Sequence, residues 1–386
     1  MDGAEWEKAC RLVVEEKMDI SAGSLEWSNV NVGLLLALSA VLLIILHHSL
    51  LQSTGQAEPA RTSEGEWAQY EGQPVNLDPD VIPVVVCAVE ERLGGTIATI
   101  NSVRIHTNAR LVFYIVTLRH TIPHITTWIK ESVLENINYF IIEFNPEIVR
   151  GKIPVIAERP ELLSPLNFAR FYLGHLIPQH KRAVYLDDDI IVLGDIRELF
   201  ESPLQDGHAA AFSDDCDAIS THLLANLRGI VVQNMYMAYL NYNKESVSKL
   251  GIRGSSCTFN PGVVVANLTE WRRQRISEQL EQWLTRDQEE HLYSSSVADG
   301  VATPPMLIVF HRRHSSLPPA WHIRYLGYSA AIRFSTAVMG EAKLLHWNGP
   351  FKPWGRTSSY TELWEEWYIP DPTGTFRPLS ASFRNA

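Results

Sequence analysis

The stretch RAVYLDDDIIVLGDIRELF, residues 182–200, carries the reading of the chain. Ala183, Val184, Tyr185 and Leu186 form a short apolar run. Three carboxylates follow at Asp187, Asp188 and Asp189, and a second apolar run begins at Ile190. Apolar residues on both sides mark strand ends inside a domain rather than an acidic surface tail. Three adjacent carboxylates repel one another, so burying them together calls for a positive partner. In an extended chain alternate side chains share a face, which sends Asp187 and Asp189 one way and Asp188 the other. Two oxygen ligands converging on one point suit a hard divalent cation, Mn2+ or Mg2+. A polar turn between two strands is the competing account of the same residues.

Upstream, residues 81–89 form a nearly continuous apolar run, the pattern of a strand buried on both faces. Gly94 and Gly95 open a helical stretch to about His106. Residues 111–118 read as a second strand, 122–134 as a helix and 137–144 as a third strand. This alternation predicts an α/β domain with a mostly parallel central sheet and helices on both faces. Residues 145–163 are irregular, and 166–176 read as a helix carrying Arg170 inward. Downstream of the triplet, 209–212 is a short strand. Phe-Asn-Pro-Gly at 259–262 leads into a strand at 263–266. Trp271, Ile276, Leu280, Trp283 and Leu284 recur at helical spacing, a stripe that fits core packing. Residues 306–310 read as a strand, 311–314 as a solvated basic loop, 342–345 as a last apolar run, and 360–368 as an aromatic helix capping the domain.

The chain has 386 residues and a net charge of −11, which argues against nucleic acid as a partner. An anionic ligand therefore needs local compensation, from a metal or from a few placed cations. No Asp, Glu, Lys or Arg occurs from Trp27 to Ala57. Residues 30–51 are long and apolar enough for a membrane-spanning helix, which needs about 20 residues. The leader before it is long and no small-residue cleavage site follows, so an anchor fits better than a cleaved signal. The expected organisation is a cytosolic tail at 1–29, the anchor at 30–51, a flexible lumenal stem at 52–80, one catalytic domain at 81–376 and a short tail at 377–386. Lys8, Arg11 and Lys17 precede the span and Arg61 follows it, consistent with a single-pass type II orientation. Cys10 is then cytosolic, Cys87 a buried thiol, and Cys216 and Cys257 the pair expected to bond in the lumen. Asn267-Leu268-Thr269 is a glycosylation sequon.

His346 closes an apolar run, as Asp187 does, and a neutral imidazole can complete a site begun by two carboxylates. Gly349 lets backbone approach a ligand. Lys352 follows as a mobile point charge suited to phosphate, with Pro353 and Trp354 stiffening the loop.

On these residues the chain resembles the family 8 glycosyltransferases, the group that includes glycogenin. More narrowly, it is similar to the glycosyltransferase 8 domain-containing proteins of animals. The resemblance covers about residues 82–376. It is carried by Tyr-Leu-Asp-Asp-Asp at 185–189, Phe-Asn-Pro-Gly at 259–262 and the run 346–354. It implies a GT-A fold, a UDP-sugar donor, Mn2+ (or Mg2+) and transfer of a hexosyl group with retention to a glycan or glycoprotein acceptor, at a Golgi or ER membrane. It places Asp187, Asp189 and His346 on the metal, Gly349 and Lys352 against the donor diphosphate, and Ala88 and Glu90 at the nucleoside. Arg170, Asp188 and Asn260 fall at the donor sugar. The chain departs from the family twice: residues 302–306 lack the usual acid or amide that contacts the sugar, and Glu90 stands where Asp is common. Two alternatives accompany the transferase reading. One is a sugar- or nucleotide-binding membrane protein with little catalysis on the same fold. The other, a metal-dependent phosphatase, fits the first strand's end poorly.

Overall fold

The computed structural model describes residues 69–70, 80–152, 164–216, 240–254, 256–293, 302–331 and 333–379. Two short edge residues, β1 (Gln69–Tyr70), precede the first long strand, β2 (Ile82–Ala88). Helix α1 (Leu93–Ile105) leads to β3 (Leu111–Thr117), and α2 (Ile122–Lys130) leads to β4 (Tyr139–Glu143). After a 3-10 segment at Pro165–Tyr172 come β5 (Arg182–Leu186), β6 (Ile190–Val192), β7 (Ala210–Phe212) and β8 (Val263–Asn267). Helices α3 (Leu268–Arg273), α4 (Ile276–Glu290) and α5 (Thr303–Val309) follow, then β9 (Ser315–Ser316), β10 (Leu344–His346) and α6 (Thr361–Glu365).

The main sheet runs in the order β1-β4-β3-β2-β5-β8-β7-β9. Strands β4, β3, β2 and β5 are parallel, as the strand-helix alternation predicts, and β8 joins antiparallel to β5. Side chains alternate across the pleat, so the strands feed two cores. Val85, Val116, Tyr185 and Val264 face one side, where Phe168, Phe171, Trp271, Leu280 and Leu284 cover them. Val84, Val86, Ile115, Val184 and Val263 face the other, under Ile97, Ile100, Ile125 and Trp128. Each such fully buried large side chain contributes roughly 1.5–3 kcal/mol of transfer free energy. Trp271 lies in the core, so the tryptophan stripe packs rather than binds.

Beside the main sheet, β6 pairs antiparallel with β10. A third apolar cluster of Ile191, Leu345, Trp347 and Trp364 holds this ribbon in place, with α6 as the expected aromatic cap.

Three expectations are corrected. Residues 306–310 are not a strand but most of α5, whose first turn carries Pro304 and Pro305. Proline is preorganised for a helix start, and the run is buried all round, so its periodicity is silent. The stripe from Trp271 to Leu284 is two helices, broken where Arg275 takes φ 55°. Asp188 and Asp189 form a turn rather than extended strand. Cys216 and Cys257 are joined by a disulfide, and Cys87 is a buried free thiol, as expected. Among the described residues no helix is long and apolar enough to cross a membrane. The expected span at 30–51 lies outside them, as do Cys10 and most of the stem.

Candidate active site

Strand β5 ends at Leu186, and the Asp187 N–H donates to Gly262 O at 2.8 Å. The turn at Asp188 and Asp189 then redirects the chain from the main sheet into the β6–β10 ribbon. In that ribbon His346 sits opposite Ile190, and Trp347 N–H donates to Asp189 O at 3.0 Å. This register brings His346 to the acidic turn. His346 Nε2 is 3.0 Å from Asp189 Oδ1 and 3.9 Å from Asp187 Oδ2. One ligand atom from each of these three residues lies within 4.8 Å of the others.

The three carboxylates face three cations. Arg170 Nη2 donates to Asp187 Oδ1 at 2.7 Å, where the Tyr185 hydroxyl also donates at 2.9 Å. Arg92 pairs with Asp188, and Lys352 with Asp189 Oδ2. Burial pushes the Asp189 carboxyl up, but Lys352, His346 and Arg92 outweigh it and hold the group well below the ordinary carboxylate range. For Asp188 burial dominates, aided by its two acidic neighbours, so its carboxyl is raised despite Arg92. Gly262 is essential to the crowding: a Cβ there would lie 2.4 Å from His346 Cε1 and 2.6 Å from Asp187 Oδ2.

These groups line one cavity of about 920 Å³. Of the residues named from sequence, Asp187, Asp188, Asp189, His346, Arg170, Asn260, Glu90, Gly349 and Lys352 all line it. Ala88 does not; its side chain packs in the core while its neighbours Cys87 and Val89 reach the cavity. Glu90 accepts from His124 Nδ1 at 2.6 Å, and its other oxygen is buried without a partner among the described residues. Gly349 has φ 117°, with Gly327 O 2.6 Å from where a Cβ would stand, so only glycine fits. Asn260 Oδ1 accepts from Gly262 N at 2.7 Å and shapes the turn into β8. Ala302 and Thr303, the segment lacking an acid or amide, also face the cavity. The donor set of two carboxylates and one imidazole fits a hard divalent cation.

A glycosyl transferase family 8 model matches residues 83–358. The chain belongs to glycosyltransferase family 8. It is 55% identical over 296 residues to the mouse (Mus musculus) glycosyltransferase 8 domain-containing protein 2, covering 77% of this chain and 84% of the relative. It is 47% identical over 363 residues to the cattle (Bos taurus) glycosyltransferase 8 domain-containing protein 1, covering 91% and 96%. Its fold resembles galactosyltransferase LgtC, solved with donor and acceptor sugar analogs, at TM-score 0.54 and 17% identity, covering 75% of this chain and 98% of that one. The bifunctional glycosyltransferase WbbM aligns at TM-score 0.56 and 17% identity, covering 96% and 63%. The expected GT-A fold is thus observed.

Sequence reading passed over Arg92, which lines this cavity, and over His322 and Arg324, which do not line it. Arg92 is masked by the two glutamates before it. His322 and Arg324 are buried, and they alternate with Trp321, Ile323 and Tyr325. Polar residues at alternate positions of an apolar segment are the available signal. Burial, with Arg324 and His346 nearby, holds the His322 imidazole well below its ordinary value.

Proposed function

We propose that the protein moves a hexosyl group from a UDP-sugar to a glycan or glycoprotein acceptor with retention of configuration. The carrying observation is the convergence of Asp187, Asp189 and His346 on the wall of a cavity that Gly349 and Lys352 also line. These three residues would hold Mn2+, or Mg2+ in its place. Bound there, the ion supplies Lewis-acid neutralisation of the charge that grows on the diphosphate. Lys352 adds a second positive charge, aimed by its place in the loop after Gly349. Arg170 orients Asp187 through their ion pair. Asp188 and Asn260 would face the donor sugar as its anomeric carbon acquires oxocarbenium character. The bond from that carbon to the phosphate oxygen breaks and a bond to the acceptor hydroxyl oxygen forms. The hydroxyl proton passes to the departing phosphate, so attack on the same face gives retention. Glu90, one oxygen of which has no partner among the described residues, is the proposed nucleoside contact.

The anchor at 30–51 and a Golgi or ER membrane location complete the proposal. An N-glycan on Asn267 is compatible with the site's geometry. Asn267 caps α3 through Oδ1, which accepts from Glu270 N at 3.1 Å, leaving Nδ2 for the sugar. A gel shift on peptide N-glycosidase treatment tests it.

Purified full-length chain with Mn2+ and a panel of UDP-hexoses should release UDP, and Asp189→Ala should not. A second reading, donor binding with little turnover, is favoured by one observation: Ala302 and Thr303 bring no acid or amide to the cavity. Thermal stabilisation by a UDP-sugar without UDP release would select that reading.

A further inference from the structure

We infer that His322 is the positioning residue that determines which nitrogen of His346 is free to meet a cation. The inference rests on the cation site proposed above. His322 is 3% exposed. Its ring plane lies 15° from parallel to that of His346, with centroids 5.0 Å apart. His322 Nε2 lies 2.8 Å from His346 Nδ1, while His346 Nε2 turns the other way, toward Asp189 and Asp187.

A neutral imidazole carries one proton. When His346 Nε2 offers its lone pair to a cation, that proton sits on Nδ1 and must be donated. His322 Nε2 is the acceptor in reach. His322 then holds its own proton on Nδ1, an atom buried without a partner among the described residues. Burying an unpaired N–H is costly, so a side chain needed only to fill this space would be better apolar. An imidazole kept here with one nitrogen unsatisfied points to use of the other. The partner on the far nitrogen of a metal-binding histidine fixes its tautomer and ring plane.

His322 is itself held in place. Ile323 N donates to Leu344 O at 3.0 Å, and His346 N donates to Ile323 O at 2.8 Å. On the other side Arg324 donates to Ser213 O at 3.0 Å and Asp214 O at 2.8 Å and pairs with Asp215. The segment that carries His322 is therefore stitched to the strand that carries His346.

The test is calorimetric titration of Mn2+ into full-length wild type, His322→Phe and His322→Gln. Phenylalanine keeps a flat ring but cannot accept; glutamine loses the ring but offers a carbonyl oxygen. His322→Phe should weaken uptake by about 10–100-fold, and His322→Gln should recover most of it. Equal affinity in wild type and His322→Phe overturns the inference and leaves the cation site standing. Loss in both variants reduces His322 to ring packing and also overturns it. No uptake by wild type overturns the cation site and this inference together. If His322→Phe does not fold, long-range 1H–15N spectra of the histidine-labelled wild type with diamagnetic Mg2+ decide. An unprotonated His322 Nε2 facing a proton on His346 Nδ1 supports the inference; a proton on His322 Nε2 refutes it and leaves the cation site standing.

Discussion

Gly262→Ala places a single methyl group between two of the proposed metal ligands. Its Cβ would stand 2.4 Å from His346 Cε1 and 2.6 Å from Asp187 Oδ2, against ordinary contact from 3.4 Å. The shortfalls are 1.0 Å (3.4 less 2.4) and 0.8 Å (3.4 less 2.6). Retreat is blocked on both sides. Asp187 N is bonded to Gly262 O, and His346 is paired to Ile190 and fully packed. The strain therefore appears as displaced ligands or as lost stability of about 1–3 kcal/mol. Misplacement of about 1 Å at a reacting centre costs on the order of 100-fold in rate, equivalent to roughly 2.7 kcal/mol. Mn2+ titration, UDP release and thermal melting would be compared with Gly340→Ala, whose added methyl meets nothing within 4 Å. Wild-type Mn2+ affinity and wild-type turnover in Gly262→Ala would refute the assignment of His346 and Asp187 to one ion.

Burial pushes the Cys87 thiol up to about 12, so alkylation near neutral pH should be slow in the native chain and fast after denaturation; mass spectrometry of modified Cys87 reads both. Burial lowers the His124 pKa, but the hydrogen bonds to Glu90 and Asp371 outweigh it and raise the group overall. Its contribution is therefore full below the unfolded histidine value and fades as pH rises through the folded one. His124→Gln should cost more thermal stability at about pH 5.5 than at about pH 9, and an equal cost at both would refute that sign. Cys216 and Cys257 lie 41 positions apart, so reducing or replacing them should destabilise by about 2–4 kcal/mol, read from denaturant midpoints. Arg92→Ala leaves Asp188 buried with its main cation gone, which should lower the melting temperature more than Arg92→Lys does.

Local pattern made much of this molecule legible. The apolar runs of β2, β3, β5 and β8 name their strands because strands buried on both faces have no polar alternation to confuse them. The triplet at 187–189 declares a special site because three carboxylates clamped between apolar runs have no cheap burial. Even Arg170 and Lys352 are readable, as cations beside aromatic and glycine-bearing segments.

Tertiary structure decided the rest. His346 meets Asp189 across 157 positions only because β10 pairs with β6 in one register; a slip of a single residue would turn the imidazole to the opposite face. Arg92 and His322 gain their partners through packing of distant segments, which no local period encodes. Residues 303–309 became helix rather than strand because a short run buried all round carries no period, leaving its proline start and its neighbours to choose. Side-chain chemistry can be read along a chain, but the distances that turn carboxylates and an imidazole into a site exist only once the sheets have paired.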